Sequence, residues 1–331
     1  MIDFNNLFKD LEGERYVSPV GRDYFLGCSI PDYNNYRLAK DLDNFPCLLI
    51  SSNETSVSKY YVSIKLEHFF VLYDVKCKII SNNNIETNNF NIICCADKDP
   101  QVQEYFLRIC SALLPILGYN PTKLEISKVI DKLLNLFRTL NESPKKTIQG
   151  LWAELFLISQ SRKPGLLIES WHQSPQDKYD FCNGNERIEV KSTASERRCH
   201  HFSYSQLNPE IKLNLIVASV FVKRLASGLS VIELMDKIKN QISQNAELTF
   251  IVDQVIGLTL GNNLRSAYLE KFDQNEAINT LKLYDVNLIP NLSVIVPKEI
   301  SDIHFKVDLT NIPPINEYYP KQFVSIIKAI L

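Results

Sequence analysis

The sequence lacks the features that mark several common classes of protein. Only 10 of its 331 residues are glycine, and none falls in a GxxxxGK[ST] or GxGxxG pattern, so no glycine-rich phosphate loop is expected. Its eight cysteines include no CxxC pair, which indicates buried, reduced thiols. The net charge of −2 provides no overall positive field for nucleic acid, so such binding would need a local basic patch.

Signals for export or for membrane insertion are lacking as well. The start, Met-Ile-Asp-Phe-Asn-Asn, has neither the basic nor the apolar segment of a signal peptide. The longest apolar run, residues 215–222, is far shorter than the ~20 residues that a membrane-spanning helix needs. We therefore expect a cytoplasmic protein with no membrane partner.

What the sequence does have is apolar material for two domains. Hydrophobic residues make up 45% of the chain. Short β-prone runs fill residues 46–95, and helical periodicity follows over 102–117 and 129–137. We expect an N-terminal α+β domain over 1–143, with a recognition, partner-binding or dimerisation role, and a second domain over 144–331. The polar segment between them would be the linker, or alternatively an inter-helix loop.

The second domain is predicted to be α/β, with a mixed central sheet flanked by helices. Residues 147–161 predict a helix that is apolar almost all round, which implies burial. One carboxylate, Glu154, interrupts this apolar surface, and a lone buried acid is costly unless it is paired or bound to a metal. Further predicted elements are a short strand at 166–169, a strand buried on both faces at 213–223 and a capped helix at 231–243.

The most informative stretch, residues 178–193, predicts a β-hairpin. Asn183-Gly184 is a strong signal for a tight turn with these two residues at its centre. Side chains alternate along a strand, so Glu189 and Lys191 share one face of the return strand. Asp180 lies across the turn on the partner strand, where cross-strand geometry can bring it to Glu189.

Two acids and a lysine on such a hairpin favour metal-dependent cleavage of phosphodiesters. Mg²⁺ prefers oxygen ligands, which Asp180, Glu189 and the backbone carbonyl of Val190 would supply, with Mn²⁺ as a substitute ion. Lys191 would orient the attacking water or stabilise developing negative charge. Glu154 would complete the acidic cluster. The alternative is an ordinary Glu–Lys pair on a solvated face.

Three short motifs resemble the PD-(D/E)XK nuclease superfamily: 150–155 (Gly-Leu-Trp-Ala-Glu-Leu), 179–181 (Tyr-Asp-Phe) and 188–193 (Ile-Glu-Val-Lys-Ser-Thr). Within it, the chain is similar over most of 101–310 to bacterial proteins found near DNA methyltransferases and helicases in phage-defence or restriction loci. The literal Pro-Asp pair of the superfamily is missing, because Tyr179 precedes Asp180. Asp177 is the alternative acid.

The resemblance implies a restriction-endonuclease-like core and roles for single residues. Asp180 and Glu189 would be metal ligands, Lys191 the catalytic lysine, Glu154 the acid of the first core helix and Gln206 a supporting polar residue. The implied activity is that of a Mg²⁺-dependent DNA endonuclease in a restriction-like or anti-phage defence system. The alternative is a catalytically silent DNA-binding or scaffold subunit that acts with a helicase or methyltransferase. A homodimer is compatible with either.

A basic segment follows the hairpin. Arg197, Arg198, His200 and His201 are predicted to contact the DNA backbone, because such side chains supply most phosphate contacts; a solvated loop is the alternative. Cysteine and histidine in this segment are zinc-ligand types, but the spacing of a structural zinc site is absent. No Gly-x-Ser-x-Gly elbow marks a Ser-His-Asp triad.

Overall fold

The structure is a computed structural model that describes residues 2–12, 23–52, 63–81, 84–172, 177–209, 213–242, 245–292, 296–297, 299–316, 323 and 325–331. It shows a mixed α/β protein with helices beside its sheets. The chain divides into two compact units, Met1–Ser143 with Ser243–Arg265, and Pro144–Ile242 with Ser266–Leu331. The sequence interpretation kept 243–265 in the second domain, whereas the structure places this segment in the first unit.

The strands and helices are numbered in chain order. The first part of the chain contains α1 (Phe4–Glu12), β1 (Tyr24–Ile30), β2 (Tyr33–Lys40), β3 (Pro46–Ile50), β4 (Ile64–Lys65), β5 (Phe69–Ser81), β6 (Asn84–Cys95), α2 (Pro100–Leu117) and α3 (Lys123–Thr139). Next come α4 (Ile148–Gln160), α5 (Pro164–Ser170), β7 (Phe181–Asn183), β8 (Glu186–Thr193), β9 (Cys199–Ser203), α6 (Tyr204–Leu207), β10 (Asn214–Phe221), β11 (Arg224–Ser230) and α7 (Val231–Gln241). The last are α8 (Ala246–Leu260), α9 (Leu264–Leu269), β12 (Lys271–Phe272), α10 (Gln274–Thr280), β13 (Lys282–Asp285), β14 (His304–Asp308) and α11 (Ile326–Ile330).

None of the helices in the described residues has both the length and the apolar character that crossing a bilayer requires.

The first unit contains a six-stranded sheet in the order β1-β2-β3-β6-β5-β4. β1 also pairs in parallel with β5, so the sheet closes on itself. The antiparallel pairing from β3 to β6 agrees with the β-prone runs of the sequence. β1 and β2 were not predicted, because polar residues such as Asn34, Asn35 and Arg37 interrupt their alternation. The interior of the closed sheet holds an apolar cluster that includes Phe25, Leu49, Phe90 and Ile92.

Helix α8, which was not predicted from the sequence, packs in the first unit against α2 and α3. The Tyr105 hydroxyl donates a hydrogen bond to the backbone carbonyl of Asp253. Gly257 lies at a close approach of α8 to its neighbours, because a Cβ there would be 2.4 Å from Leu136 Cδ1 and 2.6 Å from the Tyr105 hydroxyl. Glycine therefore allows the contact of α8 with the first unit.

The second unit is built on a four-stranded sheet in the order β13-β10-β8-β7. β8 and β10 run parallel, and the outer strands β7 and β13 run antiparallel to their neighbours, so the sheet is mixed. Asn183 pairs with Glu186, which places Gly184 and Asn185 at the centre of the hairpin turn. Gly184 has φ of +52°, as a turn with glycine at its first central position requires. The predicted turn is therefore shifted by one residue.

Helices cover this sheet because their apolar surfaces need burial. α4 packs against β8 and α7, and its residues from Leu151 to Ser159 are all buried, as its apolar sequence predicted. The Trp152 indole N–H donates to the carbonyl oxygen of Leu229 at 2.9 Å, so this large side chain is buried without losing a hydrogen bond. Residues 166–169 lie in α5 rather than in the predicted strand. Pro164 in its first turn favours a helix start, because its missing N–H has no partner to lose there.

The parallel register sets which side chains share a face. Glu189 lies beside Val217 and Lys191 beside Ser219, so these pairs point to the same side of the sheet. That side also carries an apolar cluster with Phe202 and other residues from the strands β9, β10, β13 and β14. The acid and the lysine therefore lie at the border of a packed core.

A buried carboxylate attaches the last helix to the sheet. Glu186 Oε2 accepts hydrogen bonds from the Ser325 hydroxyl at 2.6 Å, the Ser325 amide at 3.1 Å and the Ile327 amide at 3.3 Å. An acid at this place satisfies amide donors at the start of α11 that the helix itself leaves without partners.

The close approach at Gly257 yields a stability prediction. Alanine in a helix usually stabilises relative to glycine by about 1 kcal/mol, but Gly257→Ala is expected to lower the free energy of unfolding by about 1–3 kcal/mol because the methyl group overpacks the interface. Chemical denaturation of the full chain measures the change. Asp131→Ala, at an exposed site of α3, is the control and should change stability by less than about 0.5 kcal/mol. A stabilised Gly257→Ala variant would contradict the placement of α8.

Candidate metal-dependent active site

The end of strand β7 places Asp180 against β8. The Asp180 carboxylate oxygen Oδ2 accepts a hydrogen bond from the Val190 amide at 2.7 Å. The pairing of β7 with β8 ends at Phe181 and Ile188. The side chain of Asp180, the residue before β7, therefore binds the amide of Val190, two residues past the last paired residue of β8. Asp180 is buried, with 5% of its surface exposed. The hydrogen bond fixes this carboxylate beside the Glu189–Lys191 segment.

Glu189, Lys191 and Gln206 form a connected group. The Lys191 ammonium lies 2.6 Å from Glu189 Oε1, and the Gln206 side-chain amide donates to the same oxygen at 2.7 Å. Lys191 also donates to Gln206 Oε1 at 3.4 Å and lies 5.0 Å from the centre of the Phe202 ring. Gln206 is held in turn by a capping box with Ser203 at the start of α6. The group is therefore fixed by both strand and helix.

One oxygen of this group has no hydrogen-bond partner within the described part of the chain. Glu189 Oε2 is buried and accepts no hydrogen bond there, although an unsatisfied buried carboxylate oxygen is costly. Burial and the neighbouring Asp180 charge raise the pKa of Glu189 to about 8, against the lowering effect of Lys191. A ligand that brings positive charge would remove both costs.

A second group centres on Glu154, which is buried on α4. Glu154 Oε1 contacts the Lys146 ammonium at 2.5 Å, and Oε2 accepts from the Trp171 indole at 2.8 Å and contacts His172 Nε2 at 2.7 Å. Lys146 also forms an ion pair with Asp180 Oδ1, so it bridges the two acids. Burial alone would raise the pKa of Glu154, but Lys146 and His172 outweigh burial and lower it to about 2.

For Asp180 the same kinds of effect give the opposite result, a raised pKa. Burial and the Glu154 charge raise its pKa, and Lys146 and the Val190 amide offset only part of that rise. Glu154 and Asp180 thus share the ammonium of Lys146 as an ion-pair partner.

The structure brings together most of the predicted site residues. Glu189, Lys191 and Gln206 contact one another, whereas Asp180 and Glu154 share Lys146; the hydrogen bond from the Val190 amide to Asp180 places the second group beside the first. Asp180 is the acid that contacts Val190 and Lys146, and not its alternative Asp177. The backbone of Val190 borders the site, since its amide donates to Asp180.

Two residues of the site were missed from the sequence. Neither Lys146 nor His172 was predicted from the sequence as a site residue. A partial signal for Lys146 was its place just before the predicted helix, whose N-cap is Thr147. His172 adopts a φ of +44°, which is uncommon for a residue other than glycine, and sequence alone does not reveal such a conformation.

Arg198 and His200, for which DNA contacts were predicted, have buried side chains. Arg198 donates to the Ser219 carbonyl and hydroxyl at 2.8 and 2.9 Å, and His200 Nε2 lies 2.7 Å from the same hydroxyl. Burial and the nearby cations Lys191 and Arg198 lower the pKa of His200 to about 4. Arg197, paired with Asp308, and His201 are exposed. The strand alternation of β9 separates His200 from His201.

The donor set fits a divalent metal ion. Carboxylate oxygens of Glu154 and Asp180 and a ring nitrogen of His172 lie within 4.8 Å of one another. Glu189 Oε2, which is buried and accepts no hydrogen bond within the described residues, lies outside this group of three. Hard divalent ions such as Mg²⁺ and Mn²⁺ bind carboxylate oxygens, so the chemistry of these residues suits them.

The raised pKa of Glu189 predicts a pH-dependent stability. In the folded, metal-free protein Glu189 keeps its proton up to about pH 8, whereas an unfolded glutamate releases it near pH 4.3. The folded state therefore binds more protons in between, and its stability falls as pH rises through this window. Glu189→Gln removes this loss of stability, so the free energy of unfolding of the variant should rise relative to that of wild type as pH rises to 8.

Urea unfolding in EDTA at pH 5, 6.5, 8 and 9 measures this difference, which is worth about 1.4 kcal/mol for each pH unit by which folding raises the pKa of Glu189. Glu196→Gln, at an exposed position after β8, is the matched control and should follow wild type. A Glu189→Gln difference that is the same at every pH would contradict the buried, protonated carboxyl.

Comparison with known families agrees with this geometry. A family model described as "Putative PD-(D/E)XK family member, (DUF4420)" matches residues 5–310 and so extends over most of both units. No curated protein and no solved structure matches the chain. The resemblance found in the three short motifs is confirmed, and the chain belongs to this PD-(D/E)XK family.

Proposed function

We propose that this protein is a metal-dependent DNA endonuclease of a restriction-like or anti-phage defence system. The observation that carries the proposal is that Asp180 accepts a hydrogen bond from the amide of Val190, the residue between the paired Glu189 and Lys191. Family membership supports a nuclease-like function, and the mixed sheet with helices beside it agrees with a restriction-endonuclease-like core. Bacterial cytoplasm is the proposed setting.

Asp180 and Glu189 would hold the ion, with the backbone carbonyl of Val190 as a further ligand. When bound, a divalent ion lowers the pKa of a coordinated water and neutralises charge on the phosphate. The unsatisfied oxygen of Glu189 supports this assignment, because it is a buried potential metal ligand that accepts no hydrogen bond within the described residues. Mg²⁺ is the proposed cofactor, with Mn²⁺ as a substitute.

Lys191 is the proposed catalytic lysine. Its ammonium is held by Glu189 and Gln206 and lies over the Phe202 ring, so its position is set before any substrate arrives. A preorganised positive charge stabilises the negative charge that develops on a phosphodiester during cleavage. Gln206 would act by positioning Glu189 and Lys191, since its amide contacts both.

DNA affinity needs a source other than overall charge. The net charge is −2, and phosphate contacts normally dominate DNA affinity. We propose that exposed cations such as Arg197 and His201 contribute contacts, and that a helicase or methyltransferase partner or a second copy of the chain supplies the rest. The first unit is the proposed recognition or partner-binding part.

The near-neutral charge also favours a second candidate function. A catalytically silent subunit would keep the fold and bind DNA within a complex, without cutting it. The two functions differ in whether the buried acids bind a metal and support cleavage.

Cleavage of plasmid DNA distinguishes them. Wild type is expected to nick or linearise plasmid in Mg²⁺ or Mn²⁺ but not in EDTA. Glu189→Ala and Lys191→Ala should each lower the rate by about 100-fold or more, because each removes a group that acts on the reacting phosphate. Lys282→Ala, at an exposed position of β13, is the matched control and should cut at the wild-type rate.

Unchanged nicking by both site variants would overturn the assignment of the site. Absence of cleavage by wild type, together with retained DNA binding, would instead support the silent subunit. Circular dichroism of each variant confirms that the fold is kept before rates are compared.

A further inference from the structure

Lys146 occupies a place that has the ligands of a metal ion. Its ammonium lies 2.5 Å from Glu154 Oε1 and 3.3 Å from His172 Nε2, and it forms an ion pair with Asp180 Oδ1. The three partners are two carboxylates and an imidazole, all of them metal-ligand types, within 4.8 Å of one another. A side-chain cation thus lies at the centre of a metal donor set.

We propose that Glu154, His172 and Asp180 form a cation position that Lys146 fills in the metal-free protein, and that a transition-metal ion such as Mn²⁺ displaces the ammonium. Lys146 is then a tethered competitor of the metal. The inference deepens the proposed function and rests on it, because it shares Asp180 with the proposed catalytic site.

The hydrogen bonds around His172 do not fit an ammonium well. Nε2 lies 2.7 Å from Glu154 Oε2, which only accepts, and 3.3 Å from the Lys146 ammonium, which only donates. In the tautomer with a proton on Nε2, the ring can donate to Glu154 Oε2 but cannot accept from the Lys146 ammonium. In the tautomer without that proton, Nε2 can accept from Lys146 but has nothing to donate to Glu154. A metal ion in place of the ammonium binds both the nitrogen lone pair and the carboxylates, so the conflict disappears.

The charges around Lys146 also favour a divalent ion. Glu154 and Asp180 are both almost completely buried, and within the described residues both form an ion pair with the ammonium of Lys146. Glu189 is paired separately with Lys191. An uncompensated buried charge is strongly destabilising, whereas a divalent ion matches the two acids.

Lys146 is placed so that it can leave. Its side chain is 30% exposed and that of His172 21%, while those of Glu154 and Asp180 are 3% and 7% exposed, so Lys146 has the most exposed side chain of the cluster. The residue lies directly before the N-cap Thr147 of α4, which holds the backbone while the four-carbon stem can turn outward.

The donor set selects the kind of ion. Mg²⁺ strongly prefers oxygen ligands, whereas an imidazole nitrogen suits transition-metal ions. His172 adopts its uncommon backbone conformation, with φ of +44°, while its amide donates to the Asp180 carbonyl at 3.1 Å. The chain thus keeps a nitrogen donor beside the two acids, and Mn²⁺ is favoured over Mg²⁺ at this position.

Direct metal binding tests the inference without any cleavage assay. Mn²⁺ affinity of the full chain is measured from the loss of the free-ion paramagnetic resonance signal, and Mg²⁺ affinity from its competition with Mn²⁺. Lys146→Met is expected to bind Mn²⁺ about tenfold or more tightly than wild type, because the competing ammonium is gone. Lys145→Met is the matched control, since this neighbouring lysine is exposed, and it should bind as wild type does.

His172→Asn tests the nitrogen donor. Asparagine tolerates the same backbone conformation but offers an amide instead of an imidazole. The ratio of Mn²⁺ to Mg²⁺ affinity should fall about tenfold or more in this variant.

If Lys146→Met does not fold without metal, Lys146→Gln replaces it. This variant is expected to show the same gain in Mn²⁺ affinity, and Mn²⁺ should raise its unfolding temperature more than it raises that of wild type.

The outcomes separate this inference from the proposed function. If wild type binds Mn²⁺ but the Lys146 variants bind it equally or more weakly, the competitor role is wrong and the metal-dependent function stands. An unchanged ion preference in His172→Asn likewise overturns the nitrogen donor alone. If neither wild type nor any variant binds a divalent ion, the metal dependence of the proposed function fails as well.

Discussion

The burial of three carboxylates in one region is the constraint on which the candidate site of the second unit depends. Glu154, Asp180 and Glu189 are each nearly excluded from water, where a negative charge is most costly. Two lysines compensate part of that charge, since Lys146 bridges Glu154 and Asp180 and Lys191 pairs with Glu189. Burial and the Asp180 charge raise the pKa of Glu189 to about 8 against the effect of Lys191, so the lysine offsets only part of the cost. A divalent cation would complete the compensation, so the electrostatics that strain the metal-free protein favour metal binding.

The scaffold holds these acids because each is fixed by a different element. Glu154 is carried by a helix that is buried almost all round, so its side chain cannot turn to solvent. Asp180 is tied to the Val190 amide at the point where β7 stops, and Gln206 braces Glu189 and Lys191 from α6. Local folding signals, including the turn at Gly184 and the capping box at Ser203, thus determine the geometry of the site.

Sequence patterns predicted the elements whose signals are local. The alternation around Glu189 and Lys191, the apolar helix with its single acid and the apolar strand at 213–223 depend on neighbours in the chain, and the structure contains each of them. Contacts between distant segments were not predictable in the same way. Lys146 and His172 join the site only because the tertiary fold brings them to Glu154, and a basic segment that looked exposed has every second side chain turned inward around Ser219.

The placement of α8 likewise depends on contacts between segments that are distant in the chain. Its apolar sequence fits burial in either unit, and only the close packing at Gly257 shows that it belongs with α2 and α3. The first unit therefore receives a helix from a segment that lies far beyond its own last helix, α3, in the chain. The family model that matches residues 5–310 extends over most of this unit too.

The central claim is that the buried acids at the hairpin hold a divalent metal ion. Anomalous diffraction from crystals of the full chain grown with Mn²⁺ tests it most directly, because the signal locates the ion independently of any activity. We expect an anomalous peak within bonding distance of the Asp180 and Glu189 carboxylates, about 2.0–2.6 Å for such ions. A well-ordered Asp180–Glu189 pair with no ion beside it at saturating Mn²⁺ would contradict the claim.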